Sequence, residues 1–138
     1  MEKYSMTASI IYTGELRCKA LHIQSGTEFE TDAPTDNHGK GEKFSPTDTL
    51  CVSLATCIIT TMALKASSMD IELKNTKIDV TKHMLKDPRR VGQIDVTMNF
   101  PDLKLSDEQR SILQTTGDNC PVAKSLHPDL TLHLVYNW

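Results

Sequence analysis

A chain of 138 residues, 38% hydrophobic and 24% charged, has the size and composition of one soluble globular domain. A net charge of -3 and an isoelectric point near 5.9 argue against nucleic acid as its main partner. No uninterrupted apolar run reaches the ~18 residues of a membrane helix, because Leu50 to Leu64 is broken by Ser53, Thr56, Thr60 and Thr61.

The opening MEKYSMTASIIYTGELR lacks a long apolar core and a small-residue cleavage site, so no signal peptide is expected and the reading is cytoplasmic. Residues 6–13 and 16–24 are β-rich around the turn Thr13-Gly14-Glu15. A second turn at Ser25-Gly26-Thr27 returns into Glu28 to Thr31, which predicts an antiparallel meander. Residues 32–44 are dense in turn formers and predict a surface loop. Ser45-Pro46-Thr47-Asp48 then supplies an N-cap serine, a proline at the first helical position and an acid at N3. Thr49 to Met69 holds no Gly or Pro and is apolar nearly all round, which predicts a long helix buried at the centre.

Lys77 to Met84 and Val91 to Phe100 alternate as strands joined at Asp87-Pro88, with Ile78, Val80, Ile94, Val96 and Met98 on one face. Ser106-Asp107-Glu108 starts a second helix ending near Gly117. Asn119-Cys120-Pro121 is the cap and first turn of a third, and Leu130 to Tyr136 closes as a strand. The order of elements is α+β, in a single domain over residues 1–138.

Four cysteines (Cys18, Cys51, Cys57, Cys120) have no CxxC spacing, and without an export signal a disulfide framework is not expected. Cys57 lies mid-helix and is either a small core residue or a nucleophile that needs a cation beside it. Arg17, Arg89, Arg90 and Arg110 are the arginines that could supply one. Cys120 stands at a helix start, where free N–H groups and the helix dipole favour a thiolate, so it is either redox-active or structural. Cys18 and Cys51 have no such features. The five histidines form no metal-ligand spacing, so neither metal nor cofactor is expected.

The segment FSPTDTLCVSLATC (Phe44 to Cys57), the turn DPRR (Asp87 to Arg90) and CPVAKSLHPDL (Cys120 to Leu130) together resemble the OsmC/Ohr family of peroxide-detoxifying proteins. YTGELR (Tyr12 to Arg17) and DNHGKGEKFSP (Asp36 to Pro46) extend the resemblance over nearly the whole chain. It implies an intertwined α+β homodimer, with antiparallel sheets wrapped around long central helices and the active site at the subunit interface. It implies an organic hydroperoxide as substrate, Cys57 as the peroxidatic cysteine, Cys120 as the resolving one and Arg17 as the activating arginine. An external dithiol, such as a lipoyl group, would regenerate the enzyme. The family's glutamate ten residues before the first cysteine is Thr47 here. Asp48, one residue on, either replaces it or caps the helix. Two other readings remain: an OsmC-fold dimer with weak or no peroxidase activity, and a cysteine hydrolase or transferase with a histidine base such as His127.

Overall fold

Turn formers between short alternating runs make the first part of the chain a meander. The computed structural model describes residues 5–138. In it β1 (Ala8–Gly14), β2 (Arg17–His22) and β3 (Glu28–Asp32) form an antiparallel sheet in that order. Gly14 turns the first corner at φ +95°, a left-handed value that glycine takes without a Cβ clash. The register sets Arg17 opposite Asp32. The following loop carries one 3-10 turn, Thr35–Asn37, and leads to Ser45.

Helix α1 (Pro46–Ser67) begins where its cap residues predict. The Asp48 N–H donates to Ser45 Oγ at 3.0 Å, and the Ser45 N–H donates to the Asp48 carboxylate at 2.9 Å. This is a reciprocal capping box with aspartate at N3. The helix has 22 residues and a mean hydropathy of 1.6 in its most apolar window, so by length and composition alone it could cross a membrane. Cys51, Leu54, Ala55, Ile58, Met62 and Ala66 form one buried stripe along it. The expectation of burial all round is not met within one chain: Thr56 and Thr60 are exposed, and Leu64 is 76% exposed. Within the second unit one stripe of this helix, which is apolar nearly all round, is covered.

Downstream, β4 (Lys77–Leu85) and β5 (Arg90–Asn99) pair antiparallel. An irregularity at His83/Met84 shifts their register, so β5 buries Val91, then Ile94, Val96 and Met98. Helices α2 (Asp107–Asp118) and α3 (Pro121–Ser125) fill the connection to β6 (Thr131–Asn137), which lies parallel to β5. The expectation of wholly antiparallel sheets is therefore corrected: the second sheet, β4-β5-β6, is mixed. A parallel pair needs a crossover of about a dozen residues or more, and the two helices supply it. The α1 stripe shares its core with β5, Leu113 of α2 and Cys120, while Met69 and Met84 pack against that core. The chain divides into two compact units, with the boundary between Thr49 and Leu50 in the first turn of α1.

Candidate thiol site

Cys57 sits half-buried in the middle of α1, where no helix terminus lends it a dipole. The Thr61 hydroxyl, one turn on, lies 3.8 Å from its Sγ, as the i, i+4 spacing of a helix dictates. Burial pushes the Cys57 thiol up. The Val122 backbone N–H, the Thr61 hydroxyl and the Cys120 thiol all favour its thiolate and together outweigh that burial, so its pKa falls below the ordinary thiol value.

Cys120 reaches the same place from the α2–α3 junction. Ser106 and Gln109 close a capping box at the start of α2, and the chain leaves that helix with the Cys120 N–H bonded to the Gly117 carbonyl at 3.2 Å. Cys120 is the N-cap of α3, with Pro121 behind it, and is fully buried. Burial raises its pKa above the ordinary value. The Ala123 N–H opposes this, and hydrogen bonding and Coulomb repulsion from Cys57 reinforce it. The pair is thus polarised, with Cys57 the acceptor and Cys120 the donor. All four cysteines are free thiols.

The junction is held tightly. Tyr136 of β6 donates its hydroxyl to Asp118 at 2.7 Å, beside the Gln114 carbonyl at 3.3 Å. Its own pKa is raised by burial first, then by Asp118, with Cys120 adding to the effect. A Cβ on Gly117 would stand 2.7 Å from that hydroxyl and 2.9 Å from the Met62 sulfur, so any side chain there would displace Tyr136 or Met62.

Arg17 belongs to the first unit, at the start of β2. Its Nε donates to Asp32 Oδ1 at 2.6 Å and its Nη2 to Asp32 Oδ2 at 2.8 Å, a fork-to-fork pair. Nη2 also reaches Glu42 at 2.9 Å. Asp32 is buried and takes two further N–H bonds, from Glu42 and Lys43. The Arg17 guanidinium therefore holds the Asp32 carboxyl down at about 2, against some opposing burial. Asp32 and Glu42 are the carboxylates that hold Arg17, while Asp48 serves the α1 cap. Neither Asp32 nor Glu42 was singled out from the sequence as a partner of Arg17. From the sequence the meander ends at Thr31 and Asp32 falls in the loop, whereas in the structure Asp32 closes β3 opposite Arg17.

The histidine of the hydrolase reading lies mostly in solvent. The His127 side chain is 72% exposed, and its Nδ1 accepts the Asp129 N–H at 3.0 Å. Among the described residues, no group of three or more His, Cys, Asp or Glu could hold a metal ion.

Known proteins share this architecture. A protein of Psychrobacter arcticus 273-4, provisionally named an osmotic stress induced and detoxification response protein, is 43% identical with a TM-score of 0.93, over 99% of this chain and 98% of that one. The organic hydroperoxide resistance protein OsmC of Legionella pneumophila shares the fold at 13% identity and a TM-score of 0.75, over 99% of this chain and 100% of that one. An organic hydroperoxide resistance protein of Elizabethkingia anophelis does so at 16% identity and a TM-score of 0.74, over 99% and 97%. No curated protein matches the chain. The family model described as OsmC-like protein matches residues 39–134, a span from the loop before α1 to β6 that takes in both Cys57 and Cys120. By that match and by its likeness to the Psychrobacter protein, the chain belongs to the OsmC-like protein family.

Proposed function

We propose that this protein is a thiol peroxidase that reduces organic hydroperoxides with Cys57 and Cys120. The observation that carries the reading is the polarised pair: a Cys57 thiolate favoured by its neighbours, beside a buried Cys120 kept protonated. A thiolate is the nucleophile in such chemistry, and a protonated thiol beside it is held in reserve. The Cys57 thiolate attacks the distal peroxide oxygen, the O–O bond breaks, and the alkoxide takes a proton and leaves as alcohol. Cys57 is then a sulfenic acid. Cys120 displaces its hydroxyl as water to form the Cys57–Cys120 disulfide. An external dithiol, for which the family resemblance favours a lipoyl group, reduces that bond and becomes a disulfide itself.

We assign Arg17 to the thiolate, as the resemblance implies, with Asp32 and Glu42 as its carboxylate anchors and Asp48 as the helix cap. Free cysteines throughout suit a cytoplasm. The working form is a homodimer. Supporting it, Thr56 and Thr60 bond their hydroxyls to helix carbonyls four residues back, at 2.9 Å each, so the exposed side of α1 keeps few unmet donors. Ile11 and Tyr12 are also 68% and 61% exposed on the first sheet. Light scattering at micromolar concentration should read twice the 15.4 kDa chain mass; a folded particle of one chain mass would refute the dimer.

The activity test is a thiol count before and after one equivalent of cumene hydroperoxide. Loss of two thiols per chain, restored by a dithiol, is expected. No loss would leave an OsmC-fold dimer without this chemistry.

A further inference from the structure

Beside the start of α2, the C-terminal strand brings Trp138 against Phe100, their rings stacked 4.0 Å apart at 11°. The stack forms one wall of a cavity of about 270 Å³, which Leu103, Leu105, Lys104 and Arg110 also line. Trp138 is fixed by its indole N–H, which donates to Gln114 at 3.0 Å. Arg110 is the exception in this otherwise satisfied corner. Its Nε is buried without a hydrogen-bond partner, and no ion pair to Arg110 occurs among the described residues. A guanidinium cannot shed its charge, and a buried donor left unmet carries its full desolvation cost. Asp102 and Lys104 at the same cavity are both exposed and offset one another in charge, which leaves Arg110 as the remaining charged side chain. Arg110 and Trp138 also border a neighbouring hollow, but Asp107 and Asp118 line that one and would repel an anion.

We propose that the cavity binds a small monocarboxylate with an apolar body. The carboxylate accepts from the paired Nη groups of Arg110, whose planar geometry matches it as a lysine would not, and its charge offsets a guanidinium that has no ion-pair partner among the described residues. The apolar body lies against the Phe100–Trp138 stack and the two leucines. The volume is near the lower end of the ~300–1,000 Å³ of ligand pockets, so the ligand is small. Neither Cys57 nor Cys120 lines this cavity, so the site is independent of the thiol chemistry.

Trp138 is the single tryptophan of the chain, so its fluorescence reports the site directly. The full-length protein is titrated at constant ionic strength with hexanoate, and in parallel with hexanol, acetate and inorganic phosphate. A saturable change is expected with hexanoate, and binding at least about tenfold weaker with hexanol (no charge), acetate (no body) and phosphate (no body, different geometry). Arg110→Gln should weaken hexanoate binding about tenfold to a hundredfold. Arg110→Lys, which keeps the charge without the fork, should lose less. Thermal unfolding of both variants checks the fold. Should the glutamine variant fail to fold, the lysine variant and the ratio of hexanoate to hexanol decide. No saturable response to hexanoate up to roughly tens of millimolar overturns the proposal, set against the millimolar scale of weak ligands. An undiminished response in folded Arg110→Gln, or equal responses to hexanol or phosphate, overturns it as well.

Discussion

The middle of α1 and the junction of α2 with α3 each present one cysteine, and the two regions are built on opposite principles. The α1 site has no helix terminus and no formal charge among its nearest groups, yet its thiol is shifted toward the thiolate. The junction offers Cys120 an N-cap position and free N–H groups, the usual recipe for a reactive thiolate, yet its thiol is shifted the other way. Burial decides the difference. Cys120 is fully enclosed, and a five-residue helix brings too few aligned peptides to offset the desolvation. Cys57 is only half enclosed and collects hydrogen bonds from three sides. A helix start marks where a thiolate could be favoured, and solvent exclusion decides whether it is.

The largest effect that would break this contrast is expected at Cys57. Cys57→Ser should leave no thiol lost to one equivalent of cumene hydroperoxide, because Cys120 is buried and burial pushes its thiol pKa up. Rapid oxidation of Cys120 in that variant would reverse the two roles. A smaller effect is expected at Arg17. Arg17→Ala should slow oxidation of Cys57 about tenfold to a hundredfold, the worth of one charge-assisted contact. It should also raise the pH midpoint of iodoacetamide labelling at Cys57, as the role proposed for Arg17 requires. Unchanged rate and midpoint would move the activating role to Arg89 or Arg90.

The smallest effect falls on stability in acid, at the anchor of Arg17. Asp32 has a depressed pKa of about 2, against the usual carboxylate value of about 3.9 in an unfolded chain. Its contribution is therefore complete above about pH 4 and is lost as pH falls through about 2. Asp32→Asn should lower stability at neutral pH and flatten the acid limb of the unfolding curve between those values. An acid limb as steep as in the wild type would assign that limb to other carboxylates.

Most of the elements were legible because their signals are local. Ser45-Pro46 and Asp48 mark the start of α1, and Ser106 marks that of α2. The alternation at Ile94, Val96 and Met98 marks the buried face of β5. The parallel placement of β6 was not legible, since Leu130 to Tyr136 alternates identically whichever way its neighbour runs. The partners of Arg17 were hidden for a related reason. Asp32 and Glu42 lie 15 and 25 residues away, and only the register of β2 with β3 and the path of the loop bring them in. Thr61 was within reach of sequence reasoning, being one helical turn from Cys57, whereas Val122 and Tyr136 approach through tertiary packing alone. The cysteine pair entered through the family resemblance. Its polarity came from burial, which a sequence does not carry.

The most direct measurement is peptide-mapping mass spectrometry after one equivalent of an organic hydroperoxide, on the wild type and on Cys120→Ser. The wild type should yield a Cys57–Cys120 cross-linked peptide, two hydrogens lighter than its reduced parts and reversed by a dithiol. Cys120→Ser should instead carry one added oxygen on Cys57, and two under excess peroxide, as the oxidation ladder of an unresolved sulfenic acid requires. Wild-type protein in which Cys57 stays reduced, or in which Cys120 is oxidised first, would contradict the account.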